Sequence, residues 1–194
     1  MLLDPNPMDR SITDAVIDHR SPFATDLAHV ITTTGNTLVL ALLAGVVVIT
    51  LAVRGWRAEA VMVGAGSILG YAVMVLLKQL FGRPRPPVSD RLLDIETYSF
   101  PSGHAMMSMV VFGLIAVAAH RTSSWVRAHP VLLVIAPLWS IAIGCTRVYL
   151  GVHWATDVIA GWVIGAVWVA LCAWLCARWA PVGRVAAGSR QSGA

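Results

Sequence analysis

Charge is scarce in this sequence: only 12% of its 194 residues are Asp, Glu, Lys or Arg. Soluble domains carry about a quarter, so this chain lacks the charge to cover a surface facing water. Its mean hydropathy of +0.73 agrees, and the composition predicts an integral membrane protein. Cysteine is also sparse. Cys145, Cys172 and Cys176 all lie in apolar runs, which reads as small buried side chains. They form no disulfide framework, and they lack the histidine partners of a zinc site. No internal repeat is evident. The opening MLLDPNPMDR is acidic, with no basic flank before a long apolar run, so no signal peptide is expected. The net charge is +4. The basic residues stand between apolar runs instead of forming one patch, which argues against a nucleic-acid partner.

What is abundant is apolar sequence. Five runs stand out, at 37–53, 60–77, 102–119, 130–148 and 153–177. A membrane-crossing helix needs about 20 residues, and polar residues at the ends of the shorter runs can complete it in the interface. The expected fold is therefore all-α, a polytopic membrane bundle of about five transmembrane helices. Gly64, Gly66 and Gly70 offer close helix contacts in the second run. Before the bundle, residues 1–36 read as an interfacial amphipathic segment. Ile12, Ala15, Val16 and His19 share one helical face; after Ser21-Pro22, a cap and a first-turn proline, Phe23, Leu27, Val30 and Ile31 repeat the spacing. Residues 37–180 form the membrane domain. Residues 181–194, small and polar, read as a disordered cytoplasmic tail.

Arg54, Arg57, Arg121, Arg127, Arg178, Arg184 and Arg190 fall on one side of such a bundle. The other side carries Lys78, Arg83, Arg85, Arg91 and Arg147, plus Arg10 and Arg20. The raw counts tie. Setting aside Lys78, Arg85 and Arg147 as site residues, and Arg10 as distant from the first span, makes the first side cytoplasmic.

The unusual polar residues gather on the second side. Lys78 ends the second run, Arg85 follows it, Ser102 and His104 open the third, and Arg147, His153 and Asp157 surround the turn between the last two. A charge at membrane depth costs about 3 kcal/mol on insertion scales, so such groups face a cavity or one another. Each has a plain alternative: Lys78 and Arg85 as snorkelling anchors, Ser102 as a helix cap, His104 and His153 as satisfied core histidines. Asp157, ahead of a long apolar run, is the hardest to dismiss. Together the set has the composition of a polyanion site. His153 and Asp157 lie four apart, on one face if helical, the arrangement that fixes a histidine tautomer.

The spacing is more specific than the composition. Lys78 is followed after six residues by Arg85-Pro86; Pro101-Ser102-Gly103-His104 comes next; then Thr146-Arg147, five residues, His153, three residues and Asp157. This three-part pattern resembles the type-2 phosphatidate phosphatase superfamily of membrane lipid phosphatases, whose pocket pattern vanadium haloperoxidases share. The resemblance covers residues 78–157 by motif and the later spans by layout. Thr146 departs from the serine common there, and keeps a hydroxyl. Arg83-Pro84 is set aside, because only Arg85 has the family spacing from Lys78.

The resemblance implies that His153 is the nucleophile, Asp157 its orienting carboxylate and His104 the general acid. Lys78, Arg85 and Arg147 bind the substrate phosphate, with Ser102 and Gly103 as an anion cradle. No cofactor and no metal are implied: three cations supply the charge, and no carboxylate cluster exists to hold an ion. Gly151 is expected to make the turn on which Arg147 and His153 converge. The implied substrate is a membrane lipid phosphate or diphosphate, met from the bilayer at the extracytoplasmic face of the cell membrane. The layout resembles small bacterial undecaprenyl-diphosphate phosphatases. Phosphatidylglycerophosphate and phosphatidate are alternatives. So, from other classes, are a vanadate-dependent haloperoxidase and a non-catalytic lipid-binding protein. Nothing in the sequence bears on oligomeric state.

Overall fold

Capping residues and prolines set the helix boundaries. The computed structural model describes residues 5–180; the expected tail at 181–194 lies outside them. Asn6 caps α1 (Pro7–Asp18), its side chain accepting from the Asp9 N–H. Ser21 caps α2 (Pro22–Thr34) through the Ala24 N–H, with Pro22 in the first turn as the sequence predicts. Gly35-Asn36 interrupts the chain before α3 (Thr37–Val53). Then follow α4 (Arg57–Phe81) and α5 (Gly103–Thr122), and a short α6 (Ser124–Ala128). A 3-10 turn at Pro130–Val134 runs into α7 (Ile135–Tyr149), and α8 (Ala155–Trp179) completes the described chain. There is no strand among the described residues.

Among the described residues four helices are long and apolar enough to cross a membrane: Arg57–Phe81, Gly103–Thr122, Pro130–Tyr149 and Ala155–Trp179. The first predicted span differs. Alone, α3 has 17 residues; it meets α2 at a bend of 43°, and only as this bent pair, a broken span or a re-entrant loop, do the two reach the length and apolarity of a fifth span. The break at Gly35-Asn36 has a physical cause: Asn36 turns its side chain onto the Leu38 N–H and restarts the helix. The outward surface is the apolar one. Leu38, Leu42, Val46 and Ile49 on α3, Ile68 and Leu76 on α4, and Val163 and Val167 on α8 are all exposed, as expected of side chains that meet lipid.

α5 is the central helix, with Met106, Val110, Leu114 and Ala118 buried against its neighbours. Two glycines seat α8 on it. A Cβ at Gly161 would lie 2.9 Å from the Ser102 carbonyl oxygen, and one at Gly165 would lie 2.9 Å from that of Met106. Small residues four apart let two helix backbones touch. This contact brings the N-termini of α5 and α8 side by side, where the Ser102 N–H donates to the Asp157 carbonyl at 3.0 Å. At the opposite end of the bundle, Arg121 Nε pairs with the buried Glu59 at 3.0 Å and its Nη2 reaches the Ala180 carbonyl.

The N-terminal helices turn small and polar residues toward the bundle. On α1 the buried residues are Asp9 and Thr13; Ile12 and Val16 are half-buried, and Ala15 and His19 are exposed. On α2, Phe23, Leu27 and Val30 point outward while Ala28 and Thr32 turn in against α7. The inward face of both helices is small and polar because it meets the polar end of the bundle.

Candidate active site

Four helix ends and one loop build the site. Lys78 lies in the last turn of α4, which Gly82 ends in the left-handed conformation (φ +56°), its N–H on the Lys78 carbonyl. Beyond it Pro84, Pro86 and Pro87 keep the chain from resuming a helix, and the segment from Gly82 to Pro101 crosses the mouth of the bundle. Ser102 is the N-cap residue of α5, with Gly103 and His104 in the first turn. Arg147 lies in the last turn of α7. The chain then reverses at Gly151, where φ is +70° and a Cβ would stand 2.2 Å from the Asp90 carbonyl oxygen. Only glycine fits there, and the turn carries His153 back toward Arg147, as the sequence predicts.

Lys78, Arg85, Gly103, His104, Arg147 and His153 all line one cavity of about 580 Å³. Ser102 and Asp157 lie behind it, fully buried. All eight sequence-predicted residues are thus at one end of the bundle. A Cβ at Gly103 would make ordinary contact with the ends of the Met74 and Lys78 side chains, at 3.5 and 3.8 Å. Gly103 and His104 at the start of α5 line the cavity, and a helix start favours an anion. The Ser102 hydroxyl makes no cap bond and has no hydrogen-bond partner among the described residues. Arg147 is anchored by one nitrogen: its Nη1 donates to Thr32 Oγ1 of α2 at 2.7 Å.

Arg85 and His153 define the centre. Arg85 Nη1 lies 3.1 Å from His153 Nε2. A guanidinium can only donate, so Nε2 is the acceptor and the ring proton sits on Nδ1. The remaining Arg85 contacts hold it to the crossing loop and the α7–α8 turn: Nε to Thr97 O at 2.5 Å, Nη2 to Thr97 Oγ1 at 2.9 Å and to Tyr98 O at 3.2 Å, Nη1 to Val152 O at 2.5 Å. Lys78 Nζ is held by the Tyr98 carbonyl at 2.6 Å. Burial, and then the charge of Arg91, lowers the Arg85 pKa to about 10, so it remains cationic near neutrality. Burial, then Arg85, Lys78, Arg147 and His104, pushes His153 well below the usual histidine value. His153 is therefore neutral.

The histidine–carboxylate pair carries a third member. His153 Nδ1 is 3.6 Å from Asp157 Oδ2, beyond direct hydrogen bonding. The Ser99 hydroxyl stands between them, 2.5 Å from Asp157 Oδ2 and 3.4 Å from His153 Nδ1. It donates to the carboxylate and offers its oxygen to the ring N–H. Asp157 Oδ2 also accepts from the Trp154 N–H at 3.0 Å. Sequence reading does not single out Ser99, which has no motif spacing.

Arg83, set aside on spacing, is absent from the cavity lining but is buried behind it. Its Nη1 pairs with Asp157 Oδ1, and its Nη2 lies 2.8 Å from Asp9 Oδ2. Among the described residues no three His, Cys, Asp or Glu side chains gather in a group that could hold a metal ion.

Comparison with known proteins agrees with this geometry. Residues 59–180 match the PAP2 superfamily. The crystal structure of a transmembrane PAP2-type phosphatidylglycerolphosphate phosphatase from Bacillus subtilis superposes with a TM-score of 0.82 at 26% identity, covering 88% of this chain and 85% of that one. Phosphatidylglycerophosphatase B of Bacillus subtilis is 35% identical over 91 residues, 46% of this chain and 44% of that protein. The chain thus spans less than half of that relative. Decaprenylphosphoryl-5-phosphoribose phosphatase of Mycobacterium tuberculosis is 29% identical over 161 residues, 80% of this chain and 81% of that protein. These relatives are phosphatases, hydrolases of phosphoric esters, and the match runs through every helix that lines the cavity except α3. The chain belongs to the PAP2 superfamily of membrane phosphatases.

Proposed function

We propose that this protein removes a phosphate from a membrane lipid phosphate or diphosphate through a phosphohistidine at His153. One observation carries the reading. A neutral histidine with its Nε2 lone pair outward shares a single cavity with Lys78, Arg85, Arg147 and a second histidine. The three cations take the phosphoryl oxygens, the arginines with their planar forks and Lys78 as a point charge. Arg85 exchanges His153 Nε2 for a phosphoryl oxygen, which frees the lone pair. Nε2 forms the bond to phosphorus while the phosphorus–oxygen bond to the leaving group breaks in line, and His104 protonates the departing oxygen. Asp157, through Ser99 or directly, stabilises the positive ring that results. Water then attacks the phosphoimidazole, His104 takes its proton, and phosphate leaves with Nε2 restored. The cations supply the charge neutralisation, so we expect turnover to survive EDTA; loss on chelation with recovery on adding metal would contradict this.

The lipid we infer is a polyprenyl carrier, with undecaprenyl diphosphate the first expectation. The relative matched over most of both chains acts on a decaprenyl-linked substrate, which supports a polyprenyl tail. The Bacillus subtilis neighbour supports a second reading, a glycerophospholipid monoester. A panel of undecaprenyl diphosphate, phosphatidylglycerophosphate and phosphatidate in one detergent separates them by kcat/KM. We also propose that the cavity opens on the extracytoplasmic face. Arg54, Arg57, Arg121, Arg127 and Arg178 at the other helix ends support that orientation.

A further inference from the structure

We infer that Thr32, in the last turn of α2, is a positioning residue for the proposed reaction: its hydroxyl turns the Arg147 guanidinium so that a free edge is left for the phosphate. The inference rests on the proposed role of Arg147. α2 lies outside the residues that match the family, yet it reaches the site. Its inward face is small, with Ala28, Thr32 and Gly35 buried at intervals of one helical turn. A Cβ at Gly35 would stand 2.5 Å from Ile143 Cγ2 on α7, so the two helices approach closely there. Arg147 follows Ile143 by one turn and faces Thr32. Its Nη1 donates to Thr32 Oγ1 at 2.7 Å, with both residues buried.

That bond orients the guanidinium without neutralising it. No carboxylate pairs with Arg147 among the described residues, in contrast to Arg121, which Glu59 holds at the other end of the bundle. A carboxylate would compete with the substrate phosphate for the cation, whereas a hydroxyl is a neutral acceptor. With Nη1 on Thr32, the Nε and Nη2 N–H groups form the remaining edge of the plane, the fork that takes two phosphoryl oxygens. Nε is buried with no hydrogen-bond partner among the described residues, a penalty that a bound phosphate would remove. Docking of α2 does not depend on the Thr32 bond. Tyr149 Oη accepts from the Ser21 N–H at 3.1 Å and lies 3.2 Å from Thr25 Oγ1, and Trp139 Nε1 donates to Thr34 Oγ1 at 3.1 Å. Those contacts pin both ends of α2 to α7, so what Thr32 adds is direction.

Valine and serine at this position separate orientation from packing. Valine keeps the shape of threonine and removes the acceptor; serine keeps the acceptor and gives up a methyl group. In the full chain purified in detergent, with a short-chain lipid phosphate as probe, we expect Thr32→Val to lower kcat/KM by roughly 10- to 100-fold. Thr32→Ser is expected to stay within about fivefold of wild type. A residue that serves packing gives the reverse order, with the valine variant the more active. If folded T32V turns over like wild type, or T32S is as slow as T32V or slower, the inference is overturned. Should T32V fail to fold, Thr32→Ala is compared with T32S, because alanine and serine differ only by the hydroxyl. T32A slower than T32S by about tenfold or more supports the role, and a smaller difference overturns it. Arg147→Ala is measured alongside. Wild-type turnover in R147A would mean that the reading of Arg147 as a phosphate clamp has failed, which is a separate outcome.

Discussion

Arg85 occupies the atom that the proposed chemistry needs, His153 Nε2. That contact depends on a planar guanidinium reaching the ring, three carbonyls and a hydroxyl at once. Lysine cannot replace it. We expect Arg85→Lys to lower kcat/KM by about 100-fold or more, measured as phosphate release, with little change in thermal stability. His153 gives a pH prediction whose sign is fixed by its surroundings. Its pKa is lowered in the folded protein, while in the unfolded chain it is about 6.5. Below that value the unfolded state binds the extra proton, so stability falls as pH drops through it and is flat above. Melting curves between pH 5 and 8 should show this loss in wild type and a smaller one in His153→Asn; equal losses would remove His153 as the cause. The residues legible in the sequence were those with motif spacing, and all eight reached one place. Ser99 and Arg83 were not legible as partners of Asp157, nor Asp9 as a partner of Arg83. Their role comes from three separate segments meeting, and neither periodicity nor local spacing encodes that meeting. The one available signal was an acidic residue, Asp9, in the first turn of a helix otherwise half apolar.

At the scale of elements, the site depends on two helix starts being held together. The Gly161–Gly165 face of α8 against α5 does this, with the Ser102–Asp157 backbone bond at its tip. Gly165→Leu would drive a side chain into the Met106 carbonyl and the Met109 side chain. Overpacking of this kind costs about 1–3 kcal/mol. We expect a lowered melting temperature together with lost activity, because Asp157 and the α5 cradle would separate. Gly151→Ala should act through the turn instead, with its Cβ against the Asp90 backbone and φ held positive. The four long helices were legible because composition alone marks a membrane span. The α2–α3 pair was not: their shared apolar character reads as one surface segment and one span, and only packing reveals a chain bent at Gly35-Asn36. The amphipathic reading of α1 missed its inward face for a related reason. On α1 the polar Asp9 and Thr13 turn in toward a polar site, while Arg10, Ser11, Asp14 and His19 are exposed and Ile12 and Val16 are half-buried.

At the scale of the molecule, charge is concentrated at two ends of an apolar bundle, and the ends do different work. One end pairs Glu59 with Arg121 and closes the bundle; the other gathers Lys78, Arg85, Arg147 and both site histidines around a cavity. A single cysteine placed at Val88 on the crossing loop, an exposed position, should react with a membrane-impermeant maleimide on intact cells. The native Cys145, Cys172 and Cys176 are replaced first. Labelling only after permeabilisation would reverse the proposed orientation. The central claim is that phosphate passes through His153, and the stereochemical course at phosphorus tests it most directly. Two in-line displacements, first by His153 and then by water, predict net retention of configuration in the thiophosphate released from a lipid thiophosphate monoester whose phosphorus is made chiral by sulfur and two oxygen isotopes, with the third isotope supplied by the water. Net inversion would mean that water attacks the lipid directly, and would contradict the account.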